Sequence, residues 1–257
     1  MTRICFLNPF GTEDFDAIIR ATIGPALAPA TELEIRHLDD GPRNIDYYVP
    51  KHLLEVGVLK AVLQADADGF DAFVIGCCYD PGLTPARELT DMPVIGPLEA
   101  STTLARLFGH RFSVVTDHRK AVPELEDRVA AYGVAANCRS IRAINWHIDD
   151  MLGDPLAVAR DAGERCRAVI ERDGAEVAVL GCTIVAACCE QARQQGASGL
   201  EDLTIVNPNL MAMKVAELLG DLRAAGQHRI SRRAYYQQHE AHDAAEAAGV
   251  KALLLNL

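Results

Sequence analysis

Residues 73–83 read FVIGCCYDPGL, an apolar run of strand length that stops abruptly at a Gly-Cys pair. Residues 177–183, VAVLGCT, repeat this pattern in the second half of the chain. A fully apolar run followed by helix-forming sequence is typical of a strand buried on both faces of a parallel sheet, and such sheets place their chemistry at the carboxyl ends of the strands. Cys77 and Cys182 therefore occupy equivalent positions, and the repeat predicts a site with two thiols.

Strand and helix patterns alternate on both sides of this repeat. Apolar or alternating segments predict strands at residues 3–8, 33–38, 73–76 and 93–96, and again at 111–116, 138–144, 176–181 and 203–208. We predict an α/β fold of two similar domains, each an open, mostly parallel four-stranded sheet flanked by helices, related by a pseudo-twofold axis. The first domain is expected to comprise residues 1–98 and 208–257, and the second residues 99–207.

Composition excludes several classes of protein. Hydrophobic residues make up 49% of the 257 residues and charged residues 24%, which is ordinary for a globular chain. The formal net charge is −11 and basic runs are lacking, so we expect no nucleic-acid surface. No window approaches the roughly 18 consecutive apolar residues of a membrane span. The N-terminus runs directly into a strand pattern without the features of a secretory peptide, so we expect a cytoplasmic protein.

The eight cysteines predict reduced thiols rather than a disulfide framework, because the chain is neither small nor secreted in appearance. CxxC pairs and Cys/His knuckle spacings are absent from the sequence, and vicinal pairs such as Cys77-Cys78 cannot both point to one metal from regular elements. We therefore predict no metal site. A thiol sensor, oxidised reversibly at Cys77-Cys78, or a non-catalytic protein that binds a small acid, is the alternative from outside enzymology.

Each of the two cysteines lies between a strand end and a helix start, where backbone amides and the helix dipole stabilise a thiolate. Asp80 or Tyr79 is expected to cap the helix after Cys77, with Pro81 in its first turn, and Thr183 to cap the helix after Cys182. One thiolate and one thiol on either side of a bound carbon suit proton removal on one face and delivery on the other. Helix-start amides and hydroxyls such as Thr116 and Thr183 can hold an enolate oxygen or a carboxylate, so no metal or cofactor is required.

The loop before residue 51 contains Ile45, Tyr47 and Tyr48, which are too apolar for an idle surface loop. Such residues cover a site or pack on the following helix, and the sequence leaves both possibilities open.

Several segments together resemble the aspartate/glutamate racemase superfamily, specifically its hydantoin racemase branch. The resemblance covers almost the whole chain and is strongest at residues 76–83, 86–89 and 93–100; residues 8–9, 41–48, 112–116 and 180–183 also share it. Glutamate racemases usually continue the second cysteine motif with histidine and tyrosine, whereas this chain has Ile184-Val185. The resemblance therefore disfavours free glutamate as the substrate.

The resemblance implies an active site in the cleft between the two domains, with Cys77 and Cys182 as the acid/base thiols of a cofactor-independent racemase. Its substrate would be a 5-substituted hydantoin or a related cyclic ureide such as allantoin, and the protein is expected to be a homo-oligomer. The substrate-binding residues that it implies are Asn8, Phe10, Ile45, Cys78, Tyr79, Thr116 and Thr183. At Phe10 and at Cys78-Tyr79 this chain departs from its relatives. The alternative is a lyase, decarboxylase or cis-trans isomerase of the superfamily that acts on an arylmalonate, maleate or a sulfonium substrate.

Overall fold

The computed structural model describes residues 1–43, 45–197 and 199–256, which form two four-stranded sheets. The strands in chain order are β1 (Thr2–Asn8), β2 (Thr31–His37), β3 (Ala72–Ile75), β4 (Val94–Ile95), β5 (Phe112–Thr116), β6 (Cys138–Ala143), β7 (Val177–Leu180) and β8 (Ile205–Val206). The first sheet has the order β2-β1-β3-β4 and the second β6-β5-β7-β8, and every pairing is parallel. The prediction of two similar parallel sheets is confirmed.

Helices flank both sheets. In the described residues the α-helices are α1 (Asp16–Ile23), α2 (Tyr48–Ala67), α3 (Leu83–Leu89), α4 (Pro97–Leu104), α5 (Val122–Ala131), α6 (Ile148–Met151), α7 (Pro155–Glu171), α8 (Thr183–Gln194), α9 (Pro208–Ala224) and α10 (Ala244–Asn256). None of them is long and apolar enough to cross a bilayer.

The burial of the strands follows from their places in the sheets. All four residues of β3 and all four of β7 are buried, since each of these strands has a neighbour on both sides and helices above and below. The edge strand β2 is only half-buried, which agrees with its alternating sequence. The two cysteine motifs therefore each follow a fully buried inner strand.

Helix α9 returns to the first sheet after β8. Glu217 accepts hydrogen bonds from the backbone N–H of Ala28 and the hydroxyl of Thr31, and Asp221 accepts one from the hydroxyl of Thr2. Glu217 is the more buried of the two carboxylates, and the bonds it accepts satisfy its oxygens. The domain bounds at residues 98 and 208 remain a prediction.

The helix starts after the two cysteines differ from the prediction. Asp80 and Gly82 both have left-handed backbone conformations, with φ of 46° and 68°, so α3 begins only at Leu83, beyond Pro81. Neither Asp80 nor Tyr79 caps α3, and that prediction is wrong. The N-cap of α8 is Cys182 itself, in an extended conformation, and Thr183 is the first helical residue instead of the cap.

Candidate active site

A glycine precedes each cysteine because the backbone there leaves no room for a side chain. A Cβ on Gly76 would lie 2.4 Å from the carbonyl oxygen of Leu7, and one on Gly181 would lie 2.5 Å from a methyl group of Val114. Each glycine also extends its sheet, as Gly76 N–H donates to Leu7 and Gly181 N–H donates to Val115, both at 2.7 Å. The two turns that carry Cys77 and Cys182 are thus pinned to equivalent neighbouring strands.

Cys77 and Cys182 line one small cavity, although they come from different sheets. The cavity has a volume of about 20 Å³, which is room for about one water molecule. Cys77 is 4% exposed and Cys182 7% exposed. The chain therefore brings the two predicted thiols together in a site that is nearly closed to solvent.

Five of the seven predicted substrate-binding residues also line this cavity: Phe10, Ile45, Cys78, Tyr79 and Thr183. Asn8 and Thr116 lie at the ends of β1 and β5, fully buried but outside the cavity wall. The Asn8 amide donates to the carbonyl oxygen of Thr12 and to Asp16. The Thr116 hydroxyl donates towards Asp117 and the carbonyl oxygen of Gly181, so it braces two lining residues from behind.

Asp46, Asp117 and Ile148 line the cavity and were missed by the sequence reasoning. Asp117 carried a usable signal, because it directly follows the predicted strand end at Thr116. Asp46 lies beside Ile45 in the loop whose apolar residues predicted a cover. Nothing in the sequence distinguished Ile148 as a site residue from an ordinary isoleucine of the hydrophobic core.

Cys77 lies in an environment that opposes and favours ionisation at once. Burial raises the pKa of its thiol to about 12, and the backbone N–H of Tyr79 and the ammonium group of Lys51 act in the opposite direction. The carboxylates of Asp80 and Glu124 raise it slightly. Lys51 is thus the cation that favours a thiolate at Cys77.

No cation is among the main influences on the pKa of the Cys182 thiol. Burial raises the pKa of Cys182 well above its usual range, and the carboxyl group of Asp117 raises it further. The backbone N–H groups of Ile184 and Val185, at the start of α8, lower it. The two thiols therefore have similar backbone surroundings and opposite neighbouring charges.

The cover loop, here defined as residues 38–43 and 45–47, contributes Ile45 and Asp46 to the cavity wall. It is fixed to the β1 end by two hydrogen bonds, from Leu38 N–H to the carbonyl oxygen of Phe10 and from Gly11 N–H to that of Pro42. Asp46 also lies 3.6 Å from His147 of the second unit. The cover loop therefore reaches across the cavity to the second unit.

Known proteins share this arrangement of cleft and strands. The family model described as Asp/Glu/Hydantoin racemase matches residues 4–216. The chain belongs to this family. The sequence resemblance to the racemase superfamily is confirmed.

Three family relatives illustrate how far the similarity extends. Hydantoin racemase of Rhizobium meliloti is 34% identical over 217 residues, which are 84% of this chain and 88% of that protein. Hydantoin racemase of Pseudomonas sp. (strain NS671) is 34% identical over 182 residues, 71% of each chain. The solved structure of allantoin racemase from Klebsiella pneumoniae superposes with a TM-score of 0.82 at 29% identity, and covers 93% of this chain and 94% of its own. The chain is accordingly an enzyme, an isomerase of the racemase type.

The described side chains do not form a metal site. Among residues 1–43, 45–197 and 199–256, no three His, Cys, Asp or Glu side chains are grouped in a way that suits a metal ion. All eight cysteines lie within these residues and are free thiols. The expectation of a reaction without metal or cofactor remains a prediction.

Proposed function

We propose that this racemase inverts the stereocentre of a neutral cyclic ureide, a 5-substituted hydantoin or allantoin, with Cys77 and Cys182 as its acid/base pair and without a cofactor. The placement of both thiols on one cavity supports the pair. The relatives named hydantoin racemase and allantoin racemase support the substrate class.

The charges on the cavity wall favour a neutral substrate. Among the described residues that line it none is cationic, whereas Asp46 and Asp117 are acidic. The nearby ammonium group of Lys51 is already paired with Glu124. A substrate carboxylate would find no cationic hydrogen-bond donor in this wall, whereas the N–H groups of a cyclic ureide would donate hydrogen bonds to the acidic side chains. This argues against amino acids, malonates and maleate, and so against the decarboxylase and maleate isomerase alternatives.

The proposed reaction exchanges one proton for another at the carbon next to the carbonyl. The thiolate on one side removes the proton, and the electron pair of the broken C–H bond passes into the carbonyl to give an enolate. The thiol on the other side then delivers its proton to the opposite face. The enantiomer is formed, and the second cysteine is left as the thiolate. A site nearly closed to solvent strengthens hydrogen bonds to the enolate oxygen, because little water competes for it.

The test is incubation in deuterated water with single enantiomers of several 5-substituted hydantoins, of allantoin and of aspartate. We expect loss of optical rotation with uptake of one deuterium from a ureide and no change with aspartate. Cys77→Ser and Cys182→Ser should each lower the racemisation rate by at least about 100-fold, since a positioned acid or base contributes roughly that factor or more. Polarimetry and mass spectrometry give the two readouts.

Cys138→Ser is the matched control, because it removes a free thiol outside the cavity and should leave the rate unchanged. A sample without enzyme corrects for spontaneous racemisation. Racemisation that persists in Cys182→Ser at the wild-type rate would contradict the two-thiol mechanism. Exchange with aspartate and none with any ureide would contradict the substrate class.

The remaining expectations accompany this proposal. A small-molecule substrate, a homo-oligomeric assembly and a cytoplasmic location are predictions that enzyme assays, sedimentation and fractionation can test. They do not affect the argument from the cavity wall.

A further inference from the structure

Lys51 occupies a position that local preferences oppose twice. It lies in the first turn of α2, where the helix dipole disfavours a cation, and its residue exposure is only 4%. Burial of an ammonium group costs several kcal/mol unless partners compensate for the lost water. Local rules are broken in this way mostly at functional sites.

The partners of Lys51 come from both units and from the cavity wall. Its ammonium group pairs with the carboxylate of Glu124, which lies in the first turn of α5 and is 12% exposed at its side chain. The same nitrogen lies 3.3 Å from the ring centroid of Tyr79 and 5.5 Å from that of Tyr48. Tyr79 lines the cavity two residues after Cys77, so the ammonium group is held behind the wall on the side of that thiol.

The opposite side of the cavity carries an opposite charge. Asp117 follows the end of β5 and lines the cavity with Cys182, which follows the end of the neighbouring strand β7. The hydroxyl of Thr116 joins both ends, because its single proton lies within hydrogen-bond reach of the Asp117 carboxyl group and of the carbonyl oxygen of Gly181, at 2.8 and 3.1 Å. The cavity thus has a cation behind one thiol and a carboxyl group beside the other.

We propose that Lys51 is a positioning residue that makes Cys77 the thiol of the pair that ionises more readily, while Asp117 keeps Cys182 protonated. This assignment rests on the proposed two-thiol function and specifies the state in which the enzyme meets its substrate. Cys77 then removes the proton from the first enantiomer bound, and Cys182 supplies the proton that completes the inversion.

Other charged groups around the pair do not reverse this assignment. Asp80 and Glu124 act on Cys77 against Lys51, and each is engaged elsewhere, Asp80 with the start of α4 and Glu124 with Lys51 itself. Asp46 contributes to the wall between the two sides. Cys78 lies next to both thiols, and burial raises its pKa well above the usual range, so it adds no charge of its own.

The test uses iodoacetamide on the full chain without substrate, at several pH values between about 6 and 10. Tandem mass spectrometry separates Cys77 from Cys78 and Cys182 from its neighbours, and gives the ratio of the alkylation rate at Cys77 to that at Cys182 in one sample. Because the thiolate is the nucleophile, we expect a wild-type ratio above one. Faster alkylation at Cys182 than at Cys77 overturns the proposal.

Two variants of the ion pair should move this ratio in opposite directions. Lys51→Met removes the cation and should lower the ratio about tenfold, which corresponds to one pKa unit. Glu124→Gln removes the charge that offsets the cation and should raise the ratio. Lys51→Arg keeps the charge and should stay within about threefold of the wild type. If the Lys51–Glu124 ion pair only holds the two units together, Lys51→Met and Glu124→Gln should change the alkylation ratio in the same direction. That result overturns the proposal.

Asp117→Asn tests the other half, since it should speed alkylation at Cys182 and lower the ratio. An unchanged or higher ratio refutes the role of Asp117. If one variant fails to fold by circular dichroism, the wild-type ratio and the remaining variants still decide the outcome. Alkylation needs no substrate, so a failure here leaves the racemase proposal standing, and the deuterium experiment fails independently of it.

Discussion

The hydroxyl of Thr183 donates a hydrogen bond of 3.0 Å to the carbonyl oxygen of Gly76 across the cleft. Gly76 precedes Cys77 and Thr183 follows Cys182, so one bond joins the two turns that carry the thiols. Both residues are buried and water has little access to the bond. The separation of the thiols depends on this contact more directly than on either sheet.

Thr183→Val should therefore lower the kcat for racemisation by about tenfold or more, because misplaced thiols lose the alignment that proton transfer requires. The free energy of unfolding should fall by about 1–3 kcal/mol, since the Gly76 carbonyl loses its partner. Steady-state kinetics and urea denaturation measure the two effects. Thr183→Ser keeps the hydroxyl and should retain most of the activity, and a fully active Thr183→Val would refute the role of the bond.

Gly11→Ala should disturb the cover loop. A Cβ on Gly11 would lie 2.0 Å from the carbonyl oxygen of Gly41, which is backbone and cannot rotate away. We expect the closed form to be destabilised, with faster alkylation of both Cys77 and Cys182 and a lower kcat/KM. Gly24→Ala is the matched control, because a Cβ there meets nothing within 4 Å. Unchanged alkylation rates in Gly11→Ala would show that the loop does not limit access.

Asp80 should make stability depend on pH. Burial raises the pKa of its carboxyl group to about 6, although the hydroxyl of Tyr132 and the N–H groups of Glu99 and Leu98 oppose this. The folded pKa exceeds the unfolded one, so the contribution of the group to stability is full below the unfolded pKa and is lost as the pH rises through about 6. Relative to Asp80→Asn, the wild type should lose up to about 3 kcal/mol between about pH 4 and pH 7.

Urea denaturation of the wild type and of Asp80→Asn at several pH values checks this difference. Asp127→Asn, an exposed carboxyl on α5, is the control and should follow the wild type. A difference between the wild type and Asp80→Asn that stays constant with pH would contradict the expectation.

Ile45→Ala should change which substrate side chains are accepted. Ile45 is buried in the cavity wall, and its truncation leaves space for a larger substituent at C5 of the ureide. The ratio of kcat/KM for 5-benzylhydantoin to that for 5-methylhydantoin should rise about tenfold or more, because a single methylene group in a hydrophobic pocket is worth about 1–3 kcal/mol. Ile45→Val makes the smaller change and should give an intermediate ratio. An equal ratio in all three proteins would exclude Ile45 from the substituent pocket.

The strands could be predicted from the sequence because strands buried on both faces consist of uninterrupted apolar residues, as at 73–75 and 177–180. It also predicted the meeting of Cys77 and Cys182, because equivalent positions in repeated units lie at equivalent strand ends. These features depend on local pattern and on the repeat itself.

The features that sequence reasoning missed depend on contacts between distant segments. Asp80 resembles a cap for the helix that follows it, yet its carboxylate accepts hydrogen bonds from Leu98 and Glu99 at the start of α4. The left-handed backbone conformation of Asp80 directs this side chain towards the start of α4, and the sequence pattern does not predict that conformation. Lys51 lies in the first turn of a predicted amphipathic helix and would be expected in solvent, and its burial arises from Glu124 of the other unit.

The difference between the two sides of the site is subject to a thermodynamic limit. Enantiomers have equal free energies, so a Haldane relation requires equal kcat/KM for the two directions of any racemisation. Lys51 behind one thiol and Asp117 beside the other break the equivalence of the two faces. This asymmetry can therefore change kcat and KM only by matching factors. The two enantiomers differ in kcat and in KM, while kcat/KM is the same for both.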